Sequence, residues 1–201
     1  MSAAPPIVLA SQSPRRAQLL SQLGLRFEVL PAEVDETYET GEVAYAHVER
    51  LAREKALACA ARRPDALVIG SDTVVVLDEQ VLGKPRNESA AVDMLLRLQG
   101  RVHRVETGIA VVAPNGAVRS GVETVHVYFQ SFERAQAEEY VQTGEPMDKA
   151  GAYGIQGYGA ALVERIEGDY FGVMGLPIGR LLGLLRELGW RYNFRGLERV
   201  S

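Results

Sequence analysis

The chain has 201 residues, 47% of them hydrophobic and 24% charged, a balance that fits one globular domain with a real core. Its net charge of −4 at neutral pH argues against nucleic acid or an anionic membrane surface as a partner. The single cysteine, Cys59, excludes an internal disulfide and fits a reducing cytoplasm; three scattered histidines make no zinc pattern, and no run approaches the ~20 apolar residues of a membrane span.

The first apolar run, Ile7-Val8-Leu9-Ala10, predicts a short buried strand. Ser13 is then placed to cap a helix that begins at Pro14, carries Leu19, Leu20 and Leu23 at helical spacing, and is ended by Gly24. Arg15 and Arg16 stand in the first turn of that helix, where the macrodipole disfavours cations. A bound anion would offset this cost, so the pair is either an anion site or two solvated arginines. A second strand is predicted over 27–30. The acidic loop over 31–41 carries Glu33, Asp35, Glu36 and Glu39, a run that is either merely solvated or able to hold a metal ion.

A helix over 43–63 puts Ala44, Val48, Leu51, Ala52 and Cys59 on one side, with Glu49, Arg50, Arg53 and Glu54 opposite. Lys55 falls inside the apolar stripe, where an ammonium must snorkel, pair or meet a ligand. The apolar run 66–70 predicts a central strand that delivers Ser71-Asp72-Thr73 at its C-terminal end, the position where α/β proteins place ligands, before 74–77 continues. Asp78-Glu79 reads as a hairpin-like turn, and Gly83-Lys84-Pro85 as a turn with a lysine. A helix over 89–98 is stopped by Gly100. Strands over 102–112 and 118–129 form an antiparallel hairpin about Pro114-Asn115-Gly116, and a helix over 132–142 follows.

The stretch 143–159 holds five glycines among Glu145, Asp148, Lys149, Tyr153 and Gln156. It implies left-handed or closely approached backbone, and its polar groups either surround a ligand or belong to a hydrated loop. Glu145 and Lys149 could also hold that loop by an internal ion pair. A strand over 160–166, a turn at Gly168-Asp169-Tyr170, and a helix opened by Pro177 and ended by Gly189 complete the pattern. Residues 1–190 are expected to form one domain, and 191–201 a peripheral tail.

The unusual polar positions gather Arg15, Arg16, Lys55, Lys84 and Lys149 around Glu36, Asp72 and Asp148, so cations prevail locally in an acidic chain. That mixture suits a polyphosphate with its divalent metal, with cations on the oxygens and carboxylates on the ion or the attacking water. There is no GxxxxGK[ST], no GxGxxG after a strand and no GxSxG elbow, which argues against a P-loop enzyme, a dinucleotide fold and a serine hydrolase.

The segments ASQSPRR (10–16), LAREKA (51–56), GSDTVV (70–75), GKP (83–85), TGEPMDKAGAYGIQG (143–157), GDY (168–170) and GLP (175–177) occur in an order that resembles the Maf proteins, nucleoside triphosphate pyrophosphatases first discussed as septum formation inhibitors. The resemblance runs from about Ile7 to Leu188. It implies an elongated α/β fold, a twisted mixed sheet flanked by helices as in inosine triphosphatase, with two lobes, a cleft between them and a homodimer. It also implies hydrolysis of a nucleoside triphosphate to monophosphate and pyrophosphate with Mg or Mn. The AGAYGIQG form resembles the branch acting on dTTP and UTP rather than on the 7-methylguanine nucleotide.

Carried over by motif, the resemblance makes Asp72 the general base and Glu36 with Asp72 the metal neighbours. Arg16, Lys55 and Lys84 would hold phosphates, with Ser13 beside them, and Arg15, Thr73 and Gln156 would tune the choice of base. Gln12 and Gly172 depart from the family pattern, which often has Gly and Asn there, without removing a charge. A nucleotide-sensing regulator of division without turnover is the rival reading, and the same chemistry on a modified nucleotide is another. The intact Asp72, Lys55 and Lys84 favour an enzyme, since a sensor has no need of a base.

Overall fold

The apolar runs and helical stripes of this chain assemble a seven-stranded mixed sheet in a computed structural model that describes residues 4–200. The chain divides into two compact units. The first takes residues up to Asp72, Thr107–Glu123 and everything from Gly175 onward; the second takes Thr73–Glu106 and Thr124–Met174.

In the first unit, β1 (Ile7–Ala10) is buried at all four positions and lies parallel to both β2 (Glu28–Val29) and the start of β3 (Leu67–Leu77), with Val8 opposite Val68. Fully apolar strands of this kind are expected where a parallel sheet is covered by helix. The cover is α2 (Ala44–Arg62), which buries Ala52, Ala56 and Cys59 against Val8, Ala10 and Val68. Helix α1 (Pro14–Gln22) begins as its sequence predicts: Ser13 is extended, its side chain accepts from the Arg16 N–H, and Pro14 fills the first helical position. Leu19 and Leu20 are its wholly buried anchors.

The second unit contains the rest of β3, which turns at Asp78 and Glu79 into antiparallel β4 (Gln80–Leu82). Helix α3 (Glu88–Leu98) is capped by the Asn87 carboxamide, which accepts from Ala90 N–H at 2.8 Å. It packs with α4 (Arg134–Gln142) over a core that includes Leu95, Leu98, Val105, Phe129 and Tyr153. The long strands β5 (Val102–Val112) and β6 (Val118–Phe129) appear with the bounds expected on either side of the Pro114-Asn115-Gly116 turn, and β7 (Val163–Glu167) pairs antiparallel with β6. The sheet order is β2-β1-β3-β5-β6-β7, with β4 on β3. The strands β3, β5 and β6 each carry residues of both units.

Three elements depart from expectation. The sequence predicts Asp72 at the end of a strand that breaks and resumes, whereas β3 is one eleven-residue strand with Asp72 near its middle. The polar triplet survives inside it because the Ser71 hydroxyl lies 2.8 Å from both the Gly108 and Gly175 carbonyls, partners remote in sequence. Residues 160–162 are in a 3-10 turn (Gly157–Leu162), so β7 starts at Val163, and Asp169 caps a short helix, α5 (Tyr170–Val173), rather than a plain turn.

Helix α6 (Ile178–Glu187) follows Pro177 and stops before Gly189. A hairpin of β8 (Trp190–Tyr192) and β9 (Leu197–Arg199) starts one residue before the segment expected as a tail and runs into it; Trp190 is buried and the Tyr192 hydroxyl donates to the Leu23 carbonyl at 2.6 Å. No helix among the described residues is long and apolar enough to cross a membrane.

Candidate active site

Lys55 neither snorkels nor stays unpaired. It is buried on α2, and its Nζ lies 2.7 Å from Asp72 Oδ1 and 2.6 Å from Glu36 Oε1. The helix can reach the sheet this closely because two strand residues lack side chains. A Cβ on Gly70 would stand 2.2 Å from the Ala52 carbonyl oxygen, and one on Gly108 only 2.0 Å from that of Val48. Helix backbone therefore rests on strand backbone, and Lys55, one turn further along, is delivered to Asp72.

Two carboxylates that meet at one ammonium also fit a divalent cation such as Mg or Mn, since both are hard oxygen donors aimed at a point of positive charge. No group of three or more His, Cys, Asp or Glu side chains among the described residues could hold a metal. Any such ion would take its remaining ligands from water or from substrate.

Glu36 comes from the acidic loop over 31–41, and that loop is clamped to α2 by residues that show no sign of a site role in the sequence. Arg50, placed by the helical pattern on the solvent face, is only 20% exposed. Its Nε and Nη2 donate to the two oxygens of Glu42 at 2.7 and 2.9 Å, and Nη2 also donates to the Thr37 carbonyl at 3.0 Å. His47 Nδ1 lies 2.9 Å from Glu42 Oε2, and its ring stacks on Tyr38 at 3.5 Å between centroids. The Arg50 guanidinium holds the Glu42 carboxyl far below the usual carboxylate range, and Glu42 in turn raises Arg50. The spacing Glu42-x7-Arg50 spans a loop end and a helix, so no periodicity reveals it.

Arg16 belongs to the same unit and is also engaged. Its Nε donates to the Gly175 carbonyl at 2.8 Å, and its Nη1 donates to the Ser71 carbonyl at 2.9 Å and to Ser11 Oγ at 3.1 Å. Desolvation lowers its pKa, with Asp72 the leading opposing influence. Arg16 thus ties the start of α1 to the residue before Asp72. Ser13 and Arg15 lie beside it at the helix start, both half-buried.

The second unit contains Thr73, Lys84 and Gln156. Lys84 is exposed, in a turn joined to the glycine-rich stretch by the Gly151 N–H, which donates to the Gly83 carbonyl at 3.1 Å. Gln156 is half-buried and directly precedes the 3-10 turn Gly157–Leu162. Lys149 donates to Asp148 at 2.6 Å and to the backbone carbonyl of Glu145 at 2.5 Å. The internal ion pair that the sequence allows between Glu145 and Lys149 is therefore replaced by one between Lys149 and Asp148.

The solved structure of the Staphylococcus aureus Ham1 protein superposes on this chain with a TM-score of 0.50, covering 79% of each chain at 18% identity, so the two share a mixed α/β fold. Residues 6–188 match the family described as Maf-like protein. This chain belongs to that Maf family. It is 52% identical to the dTTP/UTP pyrophosphatase of Moorella thermoacetica over 91% of this chain and 95% of the relative. It is 47% identical to the protein of the same name from a Geobacillus species, over 92% and 98% respectively.

Proposed function

We propose that this protein is a nucleoside triphosphate pyrophosphatase that hydrolyses dTTP and UTP to the monophosphate and pyrophosphate, clearing them from the nucleotide pool. The observation that carries this reading is the Lys55 ammonium held between Asp72 and Glu36, in a family whose relatives bear that activity in their names. Water attacking the α-phosphorus must give up a proton as the P–O bond to pyrophosphate breaks, and Asp72 is the group we assign to accept it. Lys55 orients Asp72 in the resting site and offers positive charge to the phosphates. Lys84, Arg16 and the start of α1 with Ser13 serve the phosphate oxygens.

Glu36 and Asp72 would hold the Mg or Mn ion, which supplies neutralisation of the triphosphate charge when bound. Arg15, Thr73 and Gln156 set the choice of base. The Gln156 carboxamide offers one donor and one acceptor, matching the imide edge shared by uracil and thymine. The reading also includes a cytoplasmic homodimer, on the family likeness and the single unpaired cysteine; sedimentation equilibrium tests the dimer.

Pyrophosphate release from a panel of nucleoside triphosphates with Mg or Mn, beside an Asp72→Asn variant of unchanged circular dichroism, is the test. We expect turnover of dTTP and UTP, reduced by roughly 10²–10⁴-fold in the variant. Nucleotide binding without turnover by the native protein would make it a sensor instead.

A further inference from the structure

The glycine-rich stretch is closed on itself by one carboxylate. Glu145 Oε1 accepts from the Gly159 N–H at 3.0 Å and from the Tyr140 hydroxyl at 2.9 Å, while Oε2 accepts from the Tyr158 N–H at 2.9 Å. The Tyr140 oxygen accepts in turn from the Gly154 N–H at 3.2 Å. Gly154 and Gly159, the two ends of the loop that carries Gln156, therefore converge on a single Tyr140–Glu145 pair.

The ends are also in direct contact. A Cβ on Gly159 would stand 2.2 Å from the Gly154 carbonyl oxygen and 2.6 Å from the Tyr140 hydroxyl, and one on Gly157 would stand 2.4 Å from Glu145 Oε2. No cation reaches the Glu145 carboxylate among the described residues, because Lys149 is paired with Asp148. Its charge is instead satisfied by two backbone N–H groups and a phenol, an arrangement that fixes backbone more directly than an ion pair between two flexible side chains. Glu145 is itself held at the start of a 3-10 turn (Glu145–Asp148), its N–H donating to Thr143 Oγ1 at 3.2 Å.

We propose that Glu145, acting with Tyr140, is a positioning residue for base selection: it sets the loop over 154–159 so that the Gln156 carboxamide meets the pyrimidine edge in one orientation. This rests on the reading of Gln156 as the base-reading group. An amide that reads donor against acceptor must be held in orientation, since a loop free to rotate it would meet uracil and cytosine equally well.

The test compares the full-length native protein with Glu145→Gln, Tyr140→Phe, Gly157→Ala and Gln156→Glu. The readouts are kcat and KM for UTP, dTTP and CTP, with thermal unfolding of each variant. Glu145→Gln and Gly157→Ala should lower the UTP-to-CTP ratio of kcat/KM by about tenfold, mostly through KM for UTP, and Tyr140→Phe should do so by less. Variants that lose all three activities in equal proportion, or lose melting temperature alone, would overturn the proposal and leave Glu145 as loop scaffolding. Tyr140→Phe removes one hydroxyl only and decides the matter if Glu145→Gln does not fold. A Gln156→Glu protein with an unchanged UTP preference overturns the base-reading assignment, and the proposal with it. A changed preference there upholds that assignment, so that a failure of the Glu145 variants then counts against Glu145 alone.

Discussion

His103 shows at the scale of one residue how burial writes a pH dependence into this protein. It is 2% exposed on β5, with Nε2 2.7 Å from the Tyr153 hydroxyl and Nδ1 without a hydrogen-bond partner. Desolvation pushes its pKa down to about 4, so the ring is neutral in the folded protein where an unfolded histidine, titrating near 6.5, would already be charged. Between those values the unfolded chain binds the extra proton. Stability therefore falls as pH drops from about 6.5 to about 4, by at most roughly 3 kcal/mol. Melting temperature followed across that range should decline more steeply for the native protein than for His103→Gln, which has no proton to take up.

Single residues are unevenly legible in the sequence. Lys55 betrays itself as a cation in an apolar stripe, and Asp72 as a carboxylate in an apolar run. Arg50 looks like ordinary helix surface, because Glu42, its partner, lies outside the helix and outside any period. Glu145 stands out by composition, yet its partners Tyr158 and Gly159 are backbone donors, and backbone donors leave no mark in a sequence.

At the scale of elements, the seat of α2 on the sheet is the arrangement on which the Lys55–Asp72–Glu36 contact depends. Gly70 and Gly108 leave no room for a methyl group beneath Ala52 and Val48. Gly108→Ala should lift the helix, cost about 1–3 kcal/mol through overpacking, and lower turnover of UTP by moving Lys55 from Asp72. Urea midpoints and kcat measured on the same preparation check both halves of that expectation. Loss of stability with full activity would mean that the helix yields without moving Lys55.

Elements governed by local rules can be read directly. Ser13 with Pro14 announces α1, and Pro114-Asn115-Gly116 announces the hairpin of β5 and β6. Those settled by distant partners cannot. β3 stays continuous through Ser71-Asp72-Thr73 because Gly108 and Gly175 accept the polarity, and neither is visible from residue 71.

For the molecule as a whole, β3, β5 and β6 each carry residues of both compact units, so neither unit is made of whole strands. The sole tryptophan, Trp190, is buried in the first unit, whereas far-UV circular dichroism reports every strand. Urea transitions followed by the two signals should superimpose, as expected of one cooperative fold; a tryptophan transition that precedes the other would show that the units melt separately.

That same continuity decides how the gene can be rearranged. Excising either unit would cut through the middle of β3, β5 and β6, leaving ragged half-strands with raw edges instead of a foldable fragment. New termini belong where backbone is exposed and no ladder is severed, and the turn at Pro114-Asn115-Gly116 meets both conditions. A chain reopened at that turn keeps every strand whole, whereas one cut at residues 72, 106 or 123 loses half of one.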